Sequence, residues 1–248
     1  MRCYNPGMTT LFCPAKVNLY LAILGCDPGG YHEIDTVFAR VPELADTIDL
    51  EPAAELQLEF VQNDRLETHA SGGIEPENNT VLHALRLLEA HTGRQFPYKI
   101  TVHKNIPLQS GLGGASSDAA AILLYLNDAE KLGLSDAELT RLGAQIGMDV
   151  PFFLSGHPVA RGTHYGEKIT HLPSLTEKIT IGFTNIPIST KEAFAEWDRR
   201  GLTSTAPEFS SDVIHNLHND FEQIFPDLSF KKSNTVLSGS GGAYAILT

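Results

Sequence analysis

A run of small residues between Pro107 and Asp118 is the part of the sequence best suited to hold an anion. It reads Pro-Leu-Gln-Ser-Gly-Leu-Gly-Gly-Ala-Ser-Ser-Asp, and an alanine- and leucine-rich segment typical of a helix follows from about Ser116 to Leu132. Glycines let the backbone approach a ligand closely, and the first N–H groups of a helix lack intrahelical partners. Ser116 and Ser117 add hydroxyl groups, and Ser117 is also a candidate metal ligand. The sequence therefore favours a phosphate cradle, with a serine-capped strand-to-helix turn as the alternative.

Two charged residues lie in otherwise apolar segments and could perform phosphoryl transfer. Lys16 lies in a predicted strand in which it shares a face with Asn18, and Asp149 lies within Gly-Met-Asp-Val-Pro-Phe-Phe. Beside a hydroxyl nucleophile, a carboxylate can orient or accept the proton while a lysine stabilises the developing negative charge. The alternatives are a lysine that guards an edge strand and an aspartate that caps a helix end. Spacing alone does not show that the two residues meet.

Two further turns could contact a ligand. Tyr31 and His32 follow the turn Asp-Pro-Gly-Gly at 27–30, and their rings could stack on a planar base and bind its edge. Ser-Gly-Ser-Gly-Gly at 238–242 lies between two predicted strands, and it is either a hairpin turn or a small-residue wall beside a second ligand.

The elements that must position these residues follow no strict strand–helix–strand repeat, which predicts α+β layers rather than a doubly wound parallel sheet. In 248 residues we expect a division near residue 155, into 1–155 and 156–248. The expected strands lie over Thr9–Leu24, around Leu58, over Tyr98–Val102, near Val159, over Lys178–Phe183, and on either side of the last glycine turn. The expected helices begin after Asn79 and near Ser116, and span Asp136–Ile146, Lys191–Arg199 and Val213–Phe225.

The composition limits the possible partners. Lysine and arginine number 18 against 30 aspartates and glutamates, for a net charge of −12, which argues against binding nucleic acid or an anionic membrane through the general surface. No apolar run approaches the ~20 residues of a spanning helix. The three cysteines do not suggest a disulfide framework or a zinc ribbon, so a reducing, cytoplasmic setting is expected.

Together these motifs resemble the GHMP kinases, the superfamily of galactokinase, homoserine kinase, mevalonate kinase and phosphomevalonate kinase. Residues 14–19 (PAKVNL) are similar to the first motif, 107–117 to the ATP-binding motif P-x-x-x-G-L-G-G-[GA]-S-S, 149–153 to the catalytic D-V-P-x-F, and 238–241 to the third motif. Residues 14–19 together with Gly-Tyr-His at 30–32 are most similar to the 4-diphosphocytidyl-2-C-methyl-D-erythritol kinases of non-mevalonate isoprenoid biosynthesis. The resemblance runs from about residue 10 to residue 247.

The resemblance implies a two-domain GHMP-kinase fold with the active site in the cleft between the domains. It implies transfer of the ATP γ-phosphate, with Mg²⁺, to the 2-hydroxyl of the methylerythritol unit. Lys16 and Asp149 would be the catalytic pair. The residues implied to bind ATP are Pro107, Leu108, Gln109, Ser110, Gly111, Leu112, Gly113, Gly114, Ala115, Ser116 and Ser117. Those implied at the cytidine diphosphate substrate are Asn18, Tyr31, His32, Thr190, Phe194, Gly239 and Ser240, with cytosine between Tyr31 and Phe194 and His32 at its edge.

The chain departs from the family pattern in three places. The run 27–32 lacks the usual Arg and Asp of R-x-D-G-Y-H, the turn within 161–167 is about two residues longer than G-x-G-E, and the chain stops soon after the third motif, which suggests a trimmed C-terminal domain. We expect activity to survive these changes. Two alternatives stay open: a GHMP kinase for mevalonate, phosphomevalonate, homoserine or a sugar, and a non-catalytic nucleotide-binding homologue.

Overall fold

The computed structural model describes residues 7–62, 79–184, 189–210, 212, 216–225, 228 and 231–248. It divides the chain into two compact units, the first made of Met1–Ala15, Pro42–Pro107 and Gly114–Leu154, the second of Lys16–Val41, Leu108–Gly113 and Ser155–Thr248. The predicted division into 1–155 and 156–248 stays a prediction, although the last of these boundaries lies near it. The chain also passes between the units at four earlier points, which a single boundary does not describe.

Helices and strands are mixed in chain order. The strands are β1 (Thr9–Cys26), β2 (His32–Pro52), β3 (Gln57–Gln62), β4 (Tyr98–Lys104), β5 (Val159–His164), β6 (Lys168–His171), β7 (Ile179–Phe183), β8 (His218–Asn219), β9 (Thr235–Ser238) and β10 (Ala243–Leu247). The helices are α1 (Thr80–Thr92), α2 (Gly114–Ala129), α3 (Asp136–Ile146), α4 (Val150–Leu154) and α5 (Thr190–Arg200), with a 3₁₀ helix over Asp220–Ile224. The predicted α+β class is confirmed. Among the described residues, no helix is long and apolar enough to cross a bilayer.

The first unit contains three paired strands and a set of helices that pack on one another. β4 pairs antiparallel with the second half of β2 and parallel with β3, and its alternate side chains Ile100 and Val102 are fully buried. Helix α1 packs on α2, and α2 packs on α3 and α4. Alternation in β4 thus buries one face of the strand, and the apolar stripes of the helices face one another.

The second unit contains two sets of paired strands. β1 pairs in parallel with β8, the first half of β2 pairs antiparallel with β5, and β5 pairs with β6. A separate sheet has the order β7-β10-β9. One apolar cluster connects β1, α5, the 3₁₀ helix and β9, and it consists of Leu21, Ile23, Ala193, Trp197, Phe221, Ile224 and Leu237.

Local capping explains where the helices begin and end. The Asn79 side chain accepts hydrogen bonds from the first turn of α1, and Gly93 ends that helix in the left-handed conformation, with φ 69°. Ser135 and Glu138 form a capping box at the start of α3. These signals are local in sequence, so the expected start of α1 and the span of α3 are confirmed.

The helix expected over Val213–Phe225 is wrong in its described part. His218 and Asn219 form β8, and Asp220–Ile224 is a 3₁₀ helix, while 213–215 lie outside the described residues. The Asn219 side chain accepts from the Phe221 N–H and donates to the carbonyls of Leu237 and Gly239. The bonds to Leu237 and Gly239 reach backbone that is distant in sequence, and they take the place of the regular α-helical pattern.

Candidate active site

A buried lysine and asparagine form the centre of the site in the second unit. Lys16 is 3% exposed, and its Nζ donates to Asn18 Oδ1 at 2.6 Å, as expected for two residues on the same face of β1. The Lys16 ammonium also lies 5.4 Å from the ring centroid of Phe38. Because an unpaired buried charge is costly, these contacts fix the position of the ammonium group.

Asn18 connects the first motif to the last glycine loop. Its Oδ1 also accepts from the Gly239 N–H at 3.0 Å, and its Nδ2 donates to Thr36 Oγ1 at 2.7 Å. The backbone N–H of Asn18 donates to Ser238 Oγ at 3.3 Å. Gly239, 221 positions away along the chain, is thereby held beside the amide that orients Lys16.

The phosphate-loop residues 108–113 pack backbone against backbone on the glycine loop 238–242. Gly111 has φ +75°, and a Cβ built on it would lie 2.3 Å from the Ser238 carbonyl oxygen. Ser238 Oγ donates to the Gly111 carbonyl at 3.0 Å, and a Cβ on Gly242 would lie 2.7 Å from Ser110 Cα. No β-carbon fits at positions 111 and 242, so both glycines are required by internal packing as well as by any ligand.

The start of α2, in the first unit, carries the remaining residues of the glycine-rich motif. The helix begins at Gly114, so the first N–H groups, from Gly114 to Ser117, have no partner within it. Ala115 is exposed, Ser116 half-buried and Ser117 buried. The helix dipole and these N–H groups suit an anionic phosphate.

The segment that carries Asp149 belongs to the same unit. Asp149 itself is half-buried in the turn between α3 and α4. A Cβ built on Gly147, two residues earlier, would lie 3.6 Å from Ser116 Oγ. The first unit therefore brings the segment that carries Asp149 to the serines of the glycine-rich motif.

Sequence reasoning missed a buried charge cluster, Lys104 with Asp46 and Asp118, which lies in the first unit. Lys104 Nζ contacts Asp46 Oδ2 at 2.5 Å and Asp118 Oδ2 at 2.7 Å, and the three side chains are at most 5% exposed. Burial raises the pKa of Asp118 to about 6, with Lys104 opposing the rise. Burial lowers the pKa of Lys104, but the two carboxylates more than offset it and the net direction is upward. Burial, then Asp118 and Asp46, raises the pKa of the nearby Cys13 thiol.

The cluster contacts the segment before the phosphate loop and includes a residue from the helix after it. Asp46 Oδ1 accepts from the N–H groups of Asn105 and Ile106, just before the loop, while Asp118 is the fifth residue of α2, just after it. The sequence did contain a signal for buried charge, because Asp46 lies in an apolar strand and Lys104 ends a strand of alternating pattern. Nothing in the sequence showed that they were partners.

The residues expected to hold cytosine form two separate ring pairs in the second unit. His32 stacks on Phe194 with ring centroids 4.4 Å apart and planes 20° apart, and His32 Nε2 lies 2.8 Å from Asp198 Oδ1. Tyr31, 58% exposed, instead packs against Tyr165 at 5.4 Å. The structure thus pairs Phe194 with His32, and the sandwich of cytosine between Tyr31 and Phe194 stays a prediction.

Thr190 and Ser240, also expected at the substrate, lie together. Their hydroxyl oxygens are 3.3 Å apart, with Thr190 the first residue of α5 and Ser240 buried in the last glycine loop. Phe194 follows Thr190 by four residues, so the two share a face of α5. The helix therefore carries one residue toward the glycine loop and another toward His32.

Few donor groups for a metal ion come together among the described side chains. Among the described residues, no three or more histidine, cysteine, aspartate or glutamate side chains group so as to hold a metal ion. The carboxylates of Asp46 and Asp118 are both paired with Lys104. The side chains of the described part of the chain therefore do not form a metal cage.

Comparison with known proteins shows the family to which the chain belongs. Residues 79–157 match the GHMP kinases N terminal domain. A 4-diphosphocytidyl-2-C-methyl-D-erythritol kinase of Carboxydothermus hydrogenoformans is 35% identical over 96% of this chain and 88% of its own length. The chain belongs to this kinase family. A kinase of the same name from Alcanivorax borkumensis is 36% identical over 88% of this chain and 73% of its own length.

Solved structures support the membership in the family and the fold. A 4-(cytidine 5'-diphospho)-2C-methyl-D-erythritol kinase matches with TM-score 0.71 and 28% identity, over 97% of this chain and 90% of that one. Mevalonate kinase of Methanococcus jannaschii matches with TM-score 0.64 and 15% identity, over 99% and 92%. The second likeness concerns the GHMP-kinase fold alone. The predicted fold family is therefore confirmed.

Proposed function

We propose that this family member is an ATP-dependent kinase that phosphorylates the 2-hydroxyl of 4-diphosphocytidyl-2-C-methyl-D-erythritol. The observation that carries the proposal is the buried Lys16–Asn18–Gly239 arrangement, in a chain whose relatives bear that kinase's name. The substrate oxygen attacks the γ-phosphorus, a new O–P bond forms, the bond from the γ-phosphorus to the bridging oxygen breaks, and ADP leaves.

Lys16 is proposed to stabilise the charge that develops on the reacting oxygens. Its ammonium group is buried and fixed by Asn18 Oδ1, so little reorganisation is needed as charge develops. Asp149 is proposed to orient the hydroxyl and take its proton. A loose phosphoryl-transfer transition state relies mainly on such positioning and electrostatic stabilisation.

ATP phosphates are proposed to lie at the N–H groups of 108–117. This explains how a chain with net charge −12 binds two anionic ligands: oriented backbone dipoles and one buried lysine replace a basic surface. Mg²⁺ is proposed to bind with the nucleotide, mainly through phosphate oxygens and water, with Ser117 as the candidate protein ligand. The placement of the active site between two domains and the cytoplasmic setting stay predictions.

The test measures ADP release with the cytidine substrate, mevalonate, phosphomevalonate, homoserine and galactose offered in parallel. Turnover with the cytidine substrate alone is expected. Asp149→Asn should lower kcat by about 10²–10⁴-fold and Lys16→Met by about 10²–10³-fold. Asp128→Asn, on the exposed surface of α2, is the matched control and should retain wild-type kcat.

Other outcomes would reject the proposal in different ways. Turnover of mevalonate or a sugar would keep the kinase chemistry and reject the substrate. Tight ATP binding without turnover of any acceptor would favour a non-catalytic homologue.

A further inference from the structure

Two of the places where this chain departs from its family's pattern are in direct contact within the second unit. The Asp27 carboxylate accepts the Tyr31 N–H at 2.9 Å through Oδ1, and its Oδ2 accepts a hydrogen bond from the Tyr165 hydroxyl. Asp27 belongs to the altered turn before Tyr31, and Tyr165 to the lengthened turn after β5. One carboxylate therefore ties the two altered turns together.

The contact extends to the rings. Tyr31 and Tyr165 have ring centroids 5.4 Å apart and planes 39° apart, and the Tyr31 side chain is otherwise largely exposed. An exposed tyrosine on a turn can occupy several rotamers, whereas a neighbouring ring at contact distance restricts that choice. Tyr165 thus limits where the ring of Tyr31 can point.

Tyr165 is itself held firmly. Its N–H donates to Glu167 Oε2 at 2.9 Å, and the other oxygen of Glu167 lies 2.6 Å from His164 Nδ1. His164 has φ +68°, a left-handed conformation that a non-glycine residue keeps only when its surroundings impose it. The lengthened turn is therefore an ordered structure that presents the Tyr165 side chain.

The protonation states favour the hydroxyl–carboxylate bond at neutral pH. The Tyr165 hydroxyl and then the Tyr31 N–H hold the pKa of Asp27 below its ordinary value. The hydrogen bond to Asp27 raises the pKa of Tyr165 to about 12. Tyr165 stays a neutral donor and Asp27 a charged acceptor across the physiological range.

We propose that Tyr165 is a positioning residue for base recognition, which holds the Tyr31 ring in the orientation that stacks on cytosine. The inference rests on the proposed function, because it needs a cytidine substrate. Fixing the ring in advance lowers the ordering cost of binding, so the effect belongs in substrate affinity and not in the chemical step.

The experiment compares Tyr165→Ala and Tyr165→Phe with wild type at saturating ATP. One aromatic pair is worth about 0.5–1.5 kcal/mol, so Tyr165→Ala should raise KM for the cytidine substrate about twofold to tenfold, with kcat and KM for ATP unchanged. Tyr165→Phe keeps the ring but loses the hydroxyl group, so its KM should lie between those of wild type and Tyr165→Ala. Phe183→Ala removes another exposed aromatic of the same unit and is the matched control.

A double-mutant cycle separates positioning from a general structural role. In a Tyr31→Ala background, Tyr165→Ala should have no further effect on KM, because the residue through which it acts is gone. An active wild type whose KM is unaffected by Tyr165→Ala overturns the inference alone. If Tyr165→Ala raises both KM values and lowers kcat by similar factors, the inference is also overturned. A wild type that does not turn over the cytidine substrate rejects the proposed function and the inference with it.

Discussion

Replacing Lys104 with methionine is expected to destabilise the protein strongly. Methionine fills a similar space but removes the cation that pairs with two carboxylates, Asp46 at 2.5 Å and Asp118 at 2.7 Å, all three almost fully buried. Asp46 keeps two backbone N–H donors, whereas Asp118 Oδ1 accepts no hydrogen bond in the structure. Asp118 is therefore the group that loses most.

Breaking a buried ion pair by removing one partner costs about 3–5 kcal/mol, because an uncompensated charge is left behind. Two carboxylates share this lysine, which places the expected loss in the upper part of that range. A whole protein of ordinary stability has only about 5–15 kcal/mol to lose. The variant should remain folded in buffer yet unfold at a much lower urea concentration.

The loss should depend on pH in a defined direction. Burial raises the pKa of Asp118 to about 6, whereas an unfolded aspartate has a pKa of about 3.9, so the folded protein binds the proton more tightly. Wild-type stability conferred by this group is therefore present at low pH and lost as pH rises from about 4 through about 6. Without Lys104 the folded pKa rises further, and the variant's deficit should be larger at pH 8 than at pH 5.

Urea unfolding at pH 5, 6 and 8 measures both effects. The control is Lys99→Met on the same strand, whose lysine faces Glu59 at 3.8 Å in an exposed pair and should cost about 0–1 kcal/mol at every pH. Adding Asp118→Asn to Lys104→Met should recover part of the stability at pH 8. A loss below about 1 kcal/mol at pH 8, or one that does not change with pH, would refute the reasoning.

Three further substitutions test the site. Gly111→Ala places a Cβ 2.3 Å from the Ser238 carbonyl oxygen, at a position whose backbone is in the left-handed conformation. The strain should cost about 1–2 kcal/mol or more, so KM for ATP should rise at least about fivefold in steady-state assays. Asn18→Ala removes the acceptor of a buried ammonium, and kcat should fall about tenfold to hundredfold while a thermal melt confirms folding. Asp198→Asn weakens the partner of His32 Nε2, and KM for the cytidine substrate should rise up to about fivefold at constant kcat.

The elements that the sequence predicted well are those with local causes. The Asn79 cap, the capping box at Ser135 and the alternation in β4 each act within a few residues. The parallel pairing of β1 with β8 joins Tyr20 to His218, which is too distant for any local pattern to indicate. The interleaving of the two units is equally nonlocal, because the chain passes between them five times.

The same distinction holds within the site. Alternation placed Lys16 and Asn18 on one face, and their 2.6 Å hydrogen bond confirms it. The contact of Asn18 with Gly239 spans 221 positions, and no property of either residue indicates that the other is its partner. His32 and Phe194 were both identified as candidate base-binding residues, but their mutual stacking depends on how α5 packs on the apolar cluster of the second unit.

The glycine loops show why a motif match and a ligand site are separate inferences. Glycine at 111 and 242 is required because the two loops lie backbone to backbone, so retention of both glycines would follow from folding alone. Lys16 is buried, and an apolar side chain at this position would avoid the cost of burying a charge. A reaction that develops negative charge beside the buried ammonium group would give this lysine a role that an apolar side chain cannot take. Phosphoryl transfer is therefore supported more by the lysine than by the more conspicuous glycines.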